Sequence, residues 1–262
     1  MTARLSIADS FARCRRENRL ALMPFIAAGY PSAEGTRAVL PALESAGADL
    51  IEIGIPFSDP IADGPVIQQA FGAALAAGVR VADVFDMVAA ARPNVSIPLI
   101  AMVSYSIVFR FGNAKFFSQA REAGFDGLII PDLPPPEAQA VCGAIRSAGL
   151  DTVLLVAPTT RPARRAEVAK LCTGFTYYLS VSGITGERSS LPADLVENVR
   201  QLQSASPCPV AVGFGIAKPE HVAALKGIAD GAIVGSALVR RMAGDSPVES
   251  AVALVRELRT AC

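Results

Sequence analysis

Short apolar runs rich in Val, Ile, Leu and Phe recur along the chain, separated by longer stretches whose apolar positions return every three or four residues. The runs at 20–26, 49–54, 98–102, 127–130, 152–156, 175–180, 209–212 and 231–234 predict eight strands. They are continuous rather than alternating, the pattern of a parallel sheet whose two faces are both covered by helices. Stretches 32–46, 66–77, 81–91, 114–123, 136–148, 164–172, 192–203, 219–228 and 248–260 predict those helices, and a further one opens near Ala237. Three connections share one cue, in Ala46-Gly47-Ala48-Asp49, Ala123-Gly124-Phe125-Asp126 and Ala148-Gly149-Leu150-Asp151. A Gly after an Ala-rich helix and just before a strand predicts a left-handed helix cap.

No Pro/Gly/Ser-rich linker, charge run or low-complexity tract divides the chain. Strand–helix alternation over 262 residues therefore predicts one α/β domain across 1–262, a single (β/α)8 TIM barrel with extra short helices. The runner-up is an open doubly wound sheet. It lacks its usual Gly-rich turn after the first strand, where this chain reads Ala27-Ala28-Gly29-Tyr30-Pro31.

Composition narrows the function classes. A hydrophobic content of 52% favours a large buried core over disorder. Lys+Arg and Asp+Glu both number 24, so no basic excess recruits nucleic acid. The cysteines at 14, 142, 172, 208 and 262 are odd in number, scattered and without a C-x-x-C, which reads as reduced thiols in a cytoplasmic protein. The first nineteen residues mix Arg13, Arg15 and Arg16 with Asp9 and Glu17 and hold no apolar stretch of signal-peptide length, so neither export nor membrane insertion is expected.

The candidate chemistry centres on Ile51-Glu52-Ile53-Gly54-Ile55-Pro56-Phe57-Ser58-Asp59-Pro60-Ile61-Ala62-Asp63-Gly64-Pro65. Glu52 lies inside a predicted strand between two isoleucines, a costly place for a charge unless it faces a cavity that uses it. Partial desolvation raises a carboxyl pKa toward the range where it both donates and accepts protons. Asp63 ends a loop stiffened by Pro56, Pro60 and Pro65, which lowers the entropy cost of fixing it.

Barrels of this kind place active sites at the C-terminal ends of the strands, often with a phosphate site after strands seven and eight. Gly213-Phe214-Gly215-Ile216 and Gly235-Ser236 follow those two strands, and Ser182-Gly183-Ile184-Thr185-Gly186 follows strand six. Three Gly-bearing loops on one rim point to a phosphate-bearing substrate, since glycines let backbone N–H groups come close to an anion. Other chemistries lack their residues. A zinc aldolase-type site needs several His ligands, and the single His221 falls on a predicted outer helix, where a surface position is expected. No metal is expected. A Schiff-base aldolase needs an interior lysine, but Lys115, Lys170, Lys218 and Lys226 all lie outside the predicted strands.

The run 51–65, nearly residue for residue, resembles the signature of the tryptophan synthase alpha chain family, and the likeness extends from Met23-Pro24-Phe25-Ile26-Ala27-Ala28-Gly29-Tyr30-Pro31 to Val234-Gly235-Ser236-Ala237. The resemblance implies retro-aldol cleavage of indole-3-glycerol phosphate to indole and glyceraldehyde 3-phosphate. It implies no cofactor in this chain and a PLP-dependent beta chain as partner, in an alpha2beta2 heterotetramer that takes over the indole. By the same resemblance Glu52 is the acid/base at indole C3 and the glycerol hydroxyl, and Asp63 accepts the indole N–H. Phe25 lines the indole pocket, Gly186, Gly215, Gly235 and Ser236 grip the phosphate, and Thr185 belongs to a loop that closes over the site. Pro56, Phe57 and Asp59 are expected to face the partner.

Three positions depart from the family pattern. Where the family reads Thr-Tyr-Tyr-Asn-Pro after strand three, this chain has Val103-Ser104-Tyr105-Ser106-Ile107, which replaces an aromatic ring and an Asn with hydroxyls. Val181 stands where a basic residue is common, and Tyr30 where some members carry an acid. A stand-alone indole-3-glycerol phosphate lyase and a weakly catalytic allosteric subunit of the beta chain are the alternative functions, the second motivated by Ser104, Ser106 and Val181.

Overall fold

The computed structural model describes residues 4–60, 63–179 and 194–262. The strands β1 (Ala21–Ala27), β2 (Ile51–Gly54), β3 (Leu99–Met102), β4 (Gly127–Ile129), β5 (Asp151–Val156), β6 (Thr176–Leu179), β7 (Val210–Gly213) and β8 (Gly231–Val234) pair in sequence order. All pairings are parallel, and β8 returns to β1, which closes the barrel. The helices are α1 (Ile7–Arg16), α2 (Ala33–Ser45), α3 (Pro65–Ala76), α4 (Val81–Ala91), α5 (Tyr105–Phe111), α6 (Asn113–Ala123), α7 (Ala138–Ser147), α8 (Pro162–Leu171), α9 (Leu195–Ala205), α10 (Pro219–Ala223), α11 (Ser236–Arg241) and α12 (Pro247–Arg259). The expected (β/α)8 barrel is the observed architecture. The expected left-handed caps are also present, with φ of 105° at Gly47, 106° at Gly124 and 76° at Gly149.

Register sorts the strand residues into two cores. Ala21, Met23, Leu50, Ile100, Ile129, Val153, Tyr177, Ala211 and Ile233 pack with one another inside the barrel. Their neighbours of opposite parity, such as Leu22, Ile53, Ala101, Val156 and Val212, join a larger cluster with the helices. Burial on both faces explains why the strands read as continuous apolar runs.

Two helices carry no counterpart in the sequence reading. The first, α1, begins at a capping box between Ser6 and Asp9 and sends Ile7, Phe11 and Cys14 into the inner core, plugging the N-terminal end of the barrel. Its flanks are held by aspartates at strand starts. Asp49, Asp126 and Asp230 accept the backbone N–H of Leu22, Leu99 and Val210 at 3.0, 2.9 and 2.8 Å. Arg13 reaches Asp49 at 2.9 Å, Arg4 reaches Asp126 at 2.8 Å and Arg15 reaches Asp230 at 3.4 Å. The second is α5, a short helix on the opposite rim, capped by Ser104 and by Asp132 from the β4 loop. The helix expected over 219–228 is shorter, ending at Ala223. With the N-terminal end plugged, the C-terminal mouth is where a ligand can enter.

The remaining sequence expectations fall as follows. Lys115 and Lys170 lie on α6 and α8, Lys218 is exposed at the start of α10, and Lys226 lies in the loop before β8. The five cysteines are unpaired. No described helix is long and apolar enough to cross a membrane.

Candidate active site

Glu52 occupies the one inward position of β2 that carries a charge, level with Phe25 on β1 and Ile100 on β3. It is fully buried, and neither carboxylate oxygen has a hydrogen-bond partner among the described residues. Burial alone pushes its pKa up to about 8. An unpartnered buried carboxyl costs folding energy, and the usual compensation is chemistry.

Asp63 is brought to the same space by the loop that leaves β2 and enters α3. Gly64 caps that helix and Pro65 takes its first position, where a missing N–H costs nothing. The Asp63 N–H donates to the Pro60 carbonyl at 3.0 Å. Gln68, one turn into α3, donates through Nε2 to the carbonyls of Pro60 at 3.1 Å and Asp63 at 2.8 Å. Burial raises the Asp63 carboxyl to about 6. The two acids thus differ near neutral pH, with Glu52 mostly protonated and Asp63 mostly ionised, an asymmetry that suits one as proton donor and the other as anionic acceptor.

Both line a cavity of about 120 Å³ at the C-terminal mouth, with Phe25, Ile67, Met102, Pro131, Leu155, Tyr177, Leu179, Phe214 and Ile233 as its largely apolar wall. Tyr177, on β6, is buried there. Its phenol is raised well above its usual range, first by burial and then by the charges of Glu52 and Asp63. Gly213, Gly215, Gly235 and Ser236 complete the lining. In a closed eight-stranded barrel β7 and β8 lie across from β3 and β4, so these glycines face Met102 and Pro131 over the cavity. Gly215 has φ of 83°, a conformation that favours glycine, and a Cβ added at Gly235 would meet nothing within 4 Å.

Of the eleven residues singled out from sequence, Glu52, Asp63, Phe25, Gly215, Gly235 and Ser236 lie around the cavity, and Asp59 is exposed on the loop between β2 and α3. Phe57 is half-buried, and Pro56 is buried directly after β2, so it has no outward surface to offer a partner in this chain. Thr185 and Gly186, with Val181, lie outside the described residues. His221 departs from its expected surface position. It sits half-buried on α10, where Nδ1 accepts the Ala217 N–H at 3.2 Å and the ring lies 6.0 Å from that of Phe214. Among the described residues no group of three or more His, Cys, Asp or Glu side chains is placed to hold a metal ion.

Tyr177, Gln68 and Met102 escaped the sequence reading. A signal for Tyr177 and Met102 was present, since they share the inward parity of their strands with Phe175 and Ile100, but an apolar strand buried on both faces shows no alternation to mark it.

Comparison with known proteins identifies the family. A family model described as the tryptophan synthase alpha chain matches residues 11–261. The chain is 48% identical to the tryptophan synthase alpha chain of Prochlorococcus marinus over 260 residues, covering 98% of this chain and 94% of that one. It is likewise 48% identical to that of Rhodopirellula baltica over 236 residues, covering 89% and 85%. A structure of Mycobacterium tuberculosis tryptophan synthase superimposes with a TM-score of 0.91 at 37% identity, covering 99% of this chain and 98% of that one. A tryptophan synthase alpha-subunit mutant from Pyrococcus furiosus gives 0.86 at 36%, covering 92% and 98%. The chain belongs to the tryptophan synthase alpha chain family, whose reaction is the carbon–carbon lysis of indole-3-glycerol phosphate.

Proposed function

We propose that the cavity holds indole-3-glycerol phosphate with its ring against Phe25, Met102 and Tyr177 and its phosphate at Gly215, Gly235 and Ser236, and that Glu52 and Asp63 perform the cleavage. The observation that carries this reading is the buried, unpartnered carboxyl of Glu52 at the wall of an apolar cavity.

Cleavage requires a proton on indole C3, loss of the proton from the glycerol hydroxyl next to the ring, and return of the C–C bonding electrons to the ring. Glu52, protonated near neutral pH, donates to C3 and as the resulting carboxylate takes the hydroxyl proton, so it ends the cycle as it began. Asp63, ionised in the same range, accepts the indole N–H and offsets the positive charge that grows on the ring when C3 is protonated. The apolar wall keeps water from competing for either carboxyl. Across the cavity, glycines without Cβ atoms leave room for the phosphate beside the backbone.

The indole released passes to a beta chain, which carries the PLP, in an alpha2beta2 assembly located in the cytoplasm. Asp59, exposed and bonded to the Ser58 hydroxyl at 2.6 Å, and half-buried Phe57 lie on the loop that ends at Asp63. Contact with the beta chain there would act on the catalytic acid through the loop itself, and such coupling is typically about 1–3 kcal/mol. Thr185 and Gly186 belong to the same reading as the closing loop and a further phosphate contact.

Steady-state cleavage of indole-3-glycerol phosphate by the isolated chain, with and without a beta chain, tests the reading. Slow cleavage strongly stimulated by the beta chain is the expected result. Full activity alone would identify a stand-alone lyase, and stimulation of the beta chain without cleavage an allosteric subunit.

A further inference from the structure

The only histidine in the chain stands on α10, the helix that follows the loop leaving β7. That loop runs Phe214-Gly215-Ile216-Ala217-Lys218 before α10 begins at Pro219, and its first two residues line the cavity. Its last turn is held from below. His221, the third residue of α10, turns back so that Nδ1 accepts the backbone N–H of Ala217 at 3.2 Å. This is a variant of the capping box, in which the third helical residue satisfies a backbone donor ahead of the helix, with an imidazole in place of the usual Glu or Gln. For Nδ1 to accept, the ring proton must sit on Nε2. The same ring lies 6.0 Å from that of Phe214, so one side chain touches both ends of the four-residue stretch 214–217.

We infer that His221 is a positioning residue for the phosphate of the substrate: by bracing Phe214 and Ala217 it sets the backbone of Gly215 between them. The inference rests on the reading that Gly215 borders the phosphate. His221 itself lines no part of the cavity wall. A loop held at both ends presents its N–H groups in one orientation, which spares the ligand the cost of ordering it. Gly215 needs such bracing, because at φ of 83° glycine is the residue with the widest choice of alternative conformations.

The test uses the full chain and two probes that divide the substrate, glycerol 3-phosphate for one half and indole for the other. His221→Phe keeps a ring against Phe214 but removes the acceptor, while His221→Asn keeps an acceptor near the place of Nδ1. His221→Phe is expected to bind glycerol 3-phosphate roughly three- to tenfold more weakly, the effect of losing one hydrogen bond. Its indole affinity should be unchanged, and its loss with indole-3-glycerol phosphate should appear in KM rather than in kcat. His221→Asn should recover most of the phosphate affinity, and His221→Ala, should the Phe variant fold poorly, repeats the loss. Equal weakening of both probes, unchanged glycerol 3-phosphate binding, or an Asn variant no better than Phe would overturn the inference. Gly235→Asp serves as the control for the underlying reading. If it weakens glycerol 3-phosphate while His221→Phe does not, the phosphate site stands and only the role of His221 falls.

Discussion

The ring of Phe25 lies across Gly54, so closely that a Cβ built on Gly54 would stand 2.5 Å from Phe25 Cζ and 2.9 Å from Phe71 Cζ. Phe25 is level with Glu52 on the neighbouring strand, and Phe71 belongs to α3, the helix that Asp63 precedes. The absent side chain of Gly54 is thus what lets the aromatic wall close over the acid. Both rings are buried, and the only opening beside them is the cavity that Phe25 lines, so a side chain at Gly54 would have to push that ring into the space meant for the ligand. Gly54→Ala should therefore cost about 1–3 kcal/mol of stability, the usual range for overpacking a filled core. A denaturant melt measures that cost, and the variant's indole affinity should fall with it. A melt indistinguishable from wild type would mean that the ring is free to move.

Glu52→Gln keeps the shape of the side chain but cannot transfer a proton. We expect cleavage to fall by about 10²- to 10⁴-fold or more, with substrate still bound. Near-normal turnover would remove Glu52 from the mechanism. The same variant has a stability signature. The folded-state pKa of Glu52 is about 8 against an ordinary value of 4.5, so the folded state holds this proton more tightly than the unfolded state does. The wild-type chain therefore enjoys its full stability below the ordinary value and loses part of it as pH rises through the folded-state value. Glutamine escapes that loss. Melts at about pH 5 and about pH 9 should show Glu52→Gln gaining on the wild type as pH rises, and a constant difference would contradict the buried-acid assignment.

Asp63→Asn removes the negative charge but retains a hydrogen-bond acceptor for the indole N–H. The chemical step should slow by about 10²-fold or more, because a neutral amide offsets little of the charge that builds on the ring in a site shielded from water. Substrate affinity should change much less. If steady-state kinetics placed the whole loss in KM, Asp63 would be a ground-state binding residue instead.

Gly235→Asp places a carboxylate where a Cβ meets open space, so the fold should tolerate it. Glycerol 3-phosphate should bind roughly tenfold or more weakly, since like charges brought together cost several kcal/mol. Indole should bind as before. Calorimetric titration of each ligand separates the two effects, and undiminished phosphate affinity would put the phosphate elsewhere.

The architecture was legible in the amino-acid pattern because a parallel barrel buries both faces of every strand, which makes each strand a continuous apolar run and each covering helix amphipathic. The Gly caps before Asp49, Asp126 and Asp151 were legible for a local reason, since a left-handed backbone strains a side chain in any surroundings. Glu52 and Asp63 were visible as acids in apolar or stiffened company. What only the tertiary structure decided depends on residues distant in the chain. Ile7, Phe11 and Cys14 become core because the closed barrel leaves its N-terminal end open for α1 to fill. Tyr177 reaches the acids from β6, a strand that pairs with neither β1 nor β2, because closure turns its inward face toward theirs. Pro56 is covered, and His221 turns inward, according to what packs on them. Sequence periodicity records whether a position is buried, whereas closing the barrel decides which buried positions meet.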